Sequence, residues 1–423
     1  MTSSLLLAAF CSVVPALPSP PSDPAPFEGK LLVIDLDDVG FKLLEDAATP
    51  TLDFLRDNGR SYTSFMTSSL CSPTRAMFNV GAYPSHPDLQ LGTIIPAASF
   101  FSMPIAPLVP LATLVADNGF STAKIGKWHL AGTFFRDHPQ DCGWQSYSGV
   151  VNNLNGAGRG YMRYLKNVNG ELRSSSGIYI TTDETNDAIS CVNAGINLIS
   201  LSYHAPHDPW HEPPAGLFPA RPLNDRYDLA TAMLEACDTE MGRLLSAAIP
   251  EGYTIIAFAD NGTHQSLAGG KGTFNEDGII NPMFAYGPGV EPGIDDSRVA
   301  AYDLYPTIAN LFGIAAGKGS GFPLRAPDGE SFIESLRGAP IYRRFTYVDR
   351  FPLFTDPRND PVNWRRAFRG ERFKYTDRLA PFTGAVLWDY VADPAEEVNL
   401  FDRPLSTSAQ TFVRFTRDFL SGL

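Results

Sequence analysis

The chain predicts an α/β fold, a mixed but mostly parallel sheet flanked by helices, with a smaller C-terminal antiparallel sheet plus helix. Three observations carry that prediction. Short apolar runs end in polar residues, as strands buried on both faces do. These runs alternate with amphipathic stretches of helical length. Past about residue 340 the pattern changes to short strands separated by turn residues.

Residues 31–34 form the first apolar run. A helix opens at Thr49-Pro50-Thr51 and runs through Arg56, with Asn58-Gly59 as its stop. Residues 111–118 form a second helix, closed at Gly119, and 227–248 a long one between buried strands at 196–203 and 253–259. In sheets of this kind functional residues gather beyond the C-terminal strand ends. The segment 150–177, rich in Asn, Gly and Ser, reads as loops that shape substrate selection. The C-terminal part carries strands at 345–348, 366–369, 373–377 and 386–388 and a helix at 408–419, with Phe351, Phe354 and Trp364 destined for the core or a site rim.

The N-terminus reads as an export signal. An apolar stretch over 3–17 ends at the small-residue site Val14-Pro15-Ala16, although the positive n-region is missing, and 18–26 is a Pro- and Ser-rich linker. The expected organisation is therefore signal and linker over 1–26, a main domain over 27–340 and a small α+β subdomain over 341–423. No later run reaches the roughly 18 apolar residues of a spanning helix, so the expectation is a soluble periplasmic or secreted chain. With 33 basic and 46 acidic residues the net charge is −13, which argues against nucleic acid and anionic membrane as partners. An anionic substrate must then meet a local cluster of cations.

Acidic residues stand at two strand ends. Asp37-Asp38-Val39-Gly40 follows the first strand, and Asp260-Asn261-Gly262 follows the strand at 253–259. Either pair alone reads as a turn former. Together they make an oxygen-only ligand set suited to Ca²⁺ or Mg²⁺ rather than zinc. Asp35 is taken as structural. The cations come in three clusters: Lys127 and His129, two apart and on one side if the backbone is extended; His207 in Ala205-Pro206-His207; and Lys271 between glycines that let backbone approach a ligand.

Cys71, in Leu70-Cys71-Ser72-Pro73-Thr74-Arg75, matches the pattern CxPxR. In order, DDVG, CSPTR, GKWHL, APH, ADNG and GGKG, spanning Asp37 to Lys271, resemble the active-site motifs of the type I, formylglycine-dependent sulfatases of the alkaline phosphatase-like superfamily. Tyr302-Asp303-Leu304-Tyr305-Pro306-Thr307 and the stretch from Leu387 to Leu400 are similar to later family segments. The resemblance implies that Cys71 is oxidised to formylglycine by a maturation enzyme. It also implies that Asp37, Asp38, Asp260, Asn261 and the modified Cys71 bind calcium, or magnesium in its place. Arg75, Lys127 and Lys271 would hold the sulfate oxygens and the aldehyde hydrate.

The expected activity is hydrolysis of an aryl or carbohydrate sulfate. One hydroxyl of the hydrate attacks sulfur while His207, assisted by Lys271, protonates the departing alcohol; His129 then deprotonates the second hydroxyl and sulfate leaves. Two other readings stay open: a phosphonate monoester or phosphodiester hydrolase of the same superfamily, and a sulfated-glycan-binding protein if Cys71 is not matured. The sequence departs from the family where Ala82 stands in place of the usual arginine. His86, His204, His211 and His264 receive no role. With Cys11 removed and Cys71 modified, Cys142, Cys191 and Cys237 leave room for at most one disulfide.

Overall fold

The structure is a computed structural model that describes residues 26–154, 160–316, 328–353, 364–378 and 384–421. The expected export signal, all of the linker but Pro26, and Phe354 lie outside the described residues.

A ten-stranded sheet forms the centre. Its spatial order is Gly293–Asp295, Arg60–Tyr62, Met283–Tyr286, Thr254–Ala259, Leu31–Leu36, Leu198–Ser202, Thr122–Lys127, Ser146–Val150, Arg163–Val168 and Glu171–Ser176. The five strands from Thr254–Ala259 to Ser146–Val150 are mutually parallel, so their C-terminal ends share one edge. Antiparallel pairing at both flanks gives the mixed character.

Successive side chains of a strand leave on opposite faces, and the two cores follow from that. Leu31 and Val33 enter a core with the helices Cys71–Val80, Leu111–Asp117 and Leu304–Leu311. Leu32, Ile34 and Leu36 enter the other, with Pro50–Asn58, Ile180–Asn193 and the long Arg226–Ala248. The central strands are buried throughout, which is why they read as continuous apolar runs. Cys142 sits in the first core and Cys237 in the second, and none of the four described cysteines is disulfide-bonded. Among the described residues no helix is long and apolar enough to cross a membrane.

The C-terminal sheet runs in sequence order, Thr346–Arg350, Arg365–Arg369, Phe373–Arg378 and Val386–Asp389, all antiparallel. The helix Thr407–Leu420 lays Phe415 and Phe419 against Phe345 and Phe368. Tyr347, Val348 and Phe368 belong to the same core as Leu31, so this unit extends the main core instead of building its own.

Two expectations are corrected. The segment 150–177 is not all loop: Arg163–Val168 and Glu171–Ser176 form an edge hairpin. Its two-residue turn is Asn169-Gly170, both at positive φ, as a type I′ turn requires. The second strand is almost wholly exposed and polar and gave no hydrophobic pattern to read. In addition, Lys127 ends its strand and His129 has φ 58°, so the two do not share one extended segment.

Candidate active site

The shared C-terminal edge of the parallel strands assembles the site. Leu31–Leu36 delivers Asp37 and Asp38, Thr254–Ala259 delivers Asp260 and Asn261, Leu198–Ser202 leads to His207, and Thr122–Lys127 ends on Lys127 just before His129. Gly126 makes that last turn feasible. Its φ is 82°, and a Cβ there would lie 2.0 Å from the Ser202 carbonyl oxygen.

Cys71 is the first residue of the helix Cys71–Val80, whose ten residues are all buried. The helix explains the spacing of the motif. Cys71 and Arg75 are one turn apart and face the same side, while Pro73 falls in the first turn, where a missing N–H costs nothing. The Cys71 Sγ lies 3.5 Å from Asp37 Oδ1. Burial, and next the Asp37 carboxylate, push its thiol far up, so an unmodified Cys71 stays protonated and is a poor nucleophile.

Arg75 is clamped beneath the carboxylates. Its Nη1 is 2.7 Å from Asp35 Oδ2 and donates to the Lys127 carbonyl at 3.2 Å; its Nη2 donates to Asp260 Oδ2 at 2.9 Å and reaches Asp37 Oδ2 at 3.3 Å. Lys127 Nζ donates to Asp37 Oδ2, and Lys271 Nζ to Asp38 Oδ1. Asn261 Nδ2 donates to the same Asp38 oxygen at 2.7 Å. Asp38 itself has φ 71°, an uncommon conformation for a non-glycine residue and one found at functional sites.

Charge is distributed unevenly over these groups. Burial would raise Asp37, but Lys127, His207, Arg75 and Lys271 outweigh it and hold the carboxyl well below its usual range. Asp260 goes the other way, pushed up by burial and by Asp37. Lys271 stays firmly cationic: burial opposes its charge, yet Asp38, the Cys71 position and Asp37 prevail. His129 and His207 are both held down, by burial first and then by Lys127, so both are neutral imidazoles at neutral pH.

A divalent cation fits this cluster. Asp38 Oδ2 and Asn261 Oδ1 are buried acceptors without a hydrogen-bond partner, and buried polar atoms are rarely left so. Ligand atoms of Asp37, Asp38, Cys71 and His207 lie within 4.8 Å of one another. With Asp260 and Asn261 alongside, oxygen dominates the donor set, as calcium or magnesium prefers.

All the expected site residues converge here. Several others were not anticipated. Lys124, buried and one strand residue from the motif, lies 3.1 Å from Ser200 Oγ and 4.0 Å from Asp35; a lysine inside an apolar strand was the available signal. Tyr161 places its hydroxyl 2.8 Å from the His204 carbonyl oxygen and 2.6 Å from that of His207, bracing the loop that carries His207. His204, left without a role, pairs through Nδ1 with buried Glu184 at 2.5 Å. No local pattern marks Tyr161 or Glu184.

The family description Sulfatase matches residues 31–314. The chain is 28% identical to Arylsulfatase J of Mus musculus over 66% of its own length and 52% of that protein, so it spans about half of that relative. It is 26% identical to Arylsulfatase A of Bos taurus over 88% of this chain and 83% of that one. A solved structure described as in complex with its substrate, D-glucosamine-2-N,6-O-disulfate, superimposes with a TM-score of 0.73 at 16% identity, covering 93% of this chain and 97% of that one. The fold is that of the alkaline phosphatase-like superfamily. Within it, the chain belongs to the sulfatase family.

Proposed function

We propose that this protein hydrolyses a carbohydrate or aryl sulfate, with formylglycine made from Cys71 as the source of the nucleophile and calcium as the metal. The observation that carries the reading is the position of Cys71. It stands at a helix N-terminus, 3.5 Å from Asp37, among Lys127, Lys271 and His207, with a thiol too basic to act unmodified. Asp37, Asp38, Asp260 and Asn261 would hold the cation, which would supply Lewis-acid chemistry to an attacking oxygen that the aldehyde hydrate would provide.

The remaining work falls to this chain's side chains. Lys127 and Lys271 meet the nonbridging sulfate oxygens, where fixed cations in a dry pocket stabilise developing charge. Arg75, occupied by Asp35, Asp37 and Asp260, aligns the carboxylates from below instead of touching sulfate. His207 takes its proton once an anionic ester stands beside it, and gives that proton to the departing alcohol. Lys271, held cationic by Asp38, orients the leaving oxygen by donating to it. His129 is a neutral base, with a buried Nδ1 that has no partner. The N-terminal positive end of the Cys71–Val80 helix favours the anion.

The test pairs mass spectrometry with an assay. Protein made together with a formylglycine-generating enzyme is digested with trypsin, and the peptide Ser61 to Arg75 is weighed while sulfate release from 4-nitrophenyl sulfate and sulfated sugars is measured. A thiol at Cys71 in active protein, or formylglycine without sulfate release from any ester, refutes the reading.

A further inference from the structure

A cleft of about 830 Å³ lies between the main domain and the C-terminal sheet, lined by Thr93, Gly272, Arg350, Phe351, Arg365 and Trp388 among others. That volume falls in the upper part of the roughly 300–1,000 Å³ usual for a small-molecule site. Its walls tie it to the reaction centre from two sides. Gly272 follows Lys271 directly, and the Gly272 carbonyl accepts a hydrogen bond from Arg350 Nη1. The loop that holds Thr93 is pinned at Ile95, whose N–H donates to Ser72 Oγ at 3.1 Å, one residue beyond Cys71.

The charge in this cleft is unusual. Arg350 and Arg365 are register partners on adjacent antiparallel strands, so their side chains leave the sheet on the same face. Like charges directly opposite one another are destabilising, and the guanidinium of Arg350 is held below its usual range by burial and by Arg365. The acidic residue that also lines the cleft, Asp377, is neutralised by a two-pronged contact with Arg366 at 2.9 and 2.8 Å. In a protein of net charge −13, two arginines thus face each other in a cleft that Gly272, the neighbour of Lys271, also lines.

We infer that the cleft selects a sulfated glycan with a second anionic group, a further sulfate or a carboxylate, read by Arg350 and Arg365 while the scissile sulfate lies at Cys71. The inference rests on the sulfatase reading above. The sugar between the two anions lies along Trp388, a half-buried ring of the lining that presents apolar surface to a pyranose face, while Phe351, 1% exposed, packs on Trp364 as part of the wall. Arginine suits the second position because its planar fork donates two parallel hydrogen bonds to an oxyanion.

The test compares 4-nitrophenyl sulfate, a monosulfated disaccharide and the same disaccharide with a second sulfate. Binding of the two disaccharides to calcium-loaded Cys71→Ser protein is measured by calorimetry, and kcat/KM is measured for all three on matured enzyme. The disulfated sugar is expected to bind about 10-fold more tightly than the monosulfated one, the scale of one charge-assisted contact. Arg365→Gln should reduce that preference to about 2-fold, whereas Arg365→Lys keeps most of it. In kcat/KM, Arg365→Gln should cost the disulfated sugar about 5-fold more than it costs 4-nitrophenyl sulfate. Equal binding of the two sugars, or a preference that survives Arg350→Gln and Arg365→Gln, overturns the inference. If no sulfate ester is hydrolysed, the sulfatase reading fails, while the calorimetry still decides whether the second anion is read here.

Discussion

Replacing Arg75 by methionine separates two roles that the motif alone does not distinguish. If Arg75 holds the substrate's sulfate, its loss raises KM and leaves the protein otherwise intact. The geometry points elsewhere, because both terminal nitrogens are taken by Asp35 at 2.7 Å, Asp260 at 2.9 Å, Asp37 at 3.3 Å and the Lys127 carbonyl at 3.2 Å. Removing one member of a buried ionic cluster leaves uncompensated charge and costs about 3–5 kcal/mol. With an unfolding entropy of roughly 2.1 cal/mol/K per residue, a chain of this size loses about 1 °C for each 0.9 kcal/mol, so the midpoint should fall by about 3–6 °C. Calcium affinity should weaken by about 10–100-fold, the usual effect of losing a group that orients metal ligands. The assay is thermal unfolding, with calcium titration of activity alongside, and Arg75→Lys, which keeps the charge but not the fork, should fall between. An Arg75→Met enzyme with unchanged melting and calcium dependence but a raised KM would show that the guanidinium reaches the substrate.

Other outcomes follow from the same geometry. His129→Ala should release about one equivalent of alcohol and then slow by about 10²-fold or more, since only the second step needs its base; multiple turnovers at the normal rate would remove that role. Gly126→Ala should cost on the order of 3 kcal/mol or more, read as a lower midpoint or lost folded yield, because the new Cβ meets the Ser202 carbonyl at 2.0 Å in a left-handed conformation. Asp295 is opposed by burial but held below its usual range by Ser297, Ser335 and Arg60. Its depressed folded value means that its stabilisation is complete above the ordinary carboxylate pKa of about 4 and is lost as pH falls through the folded one. Asp295→Asn should therefore lower the melting point at pH 6, with the gap closing below pH 4; a gap independent of pH contradicts this.

Much of the site was legible because its parts are local. The offset of four between Cys71 and Arg75 is one helical turn, and carboxylates directly after buried runs mark strand ends, so these could be read from neighbours along the chain. The apolar run at 31–34 stops in sequence at Asp35, whereas the strand continues to Leu36 and Asp35 pairs with Arg75. The turn Asn169-Gly170 was also present as a hairpin signal, but its outer strand has no apolar face to declare it.

By itself the sequence determined the α/β class, several of its strands and helices, and the residue types that gather at the strand ends. Each of these depends on periodicity or on offsets of a few residues. Only the tertiary structure decided that Arg75 pairs with Asp35, Asp37 and Asp260, that Tyr161 braces the His207 loop, and that Arg350 faces Arg365 and donates to the Gly272 carbonyl. Those relations join residues tens to hundreds of positions apart through sheet register and packing, and no local pattern encodes them.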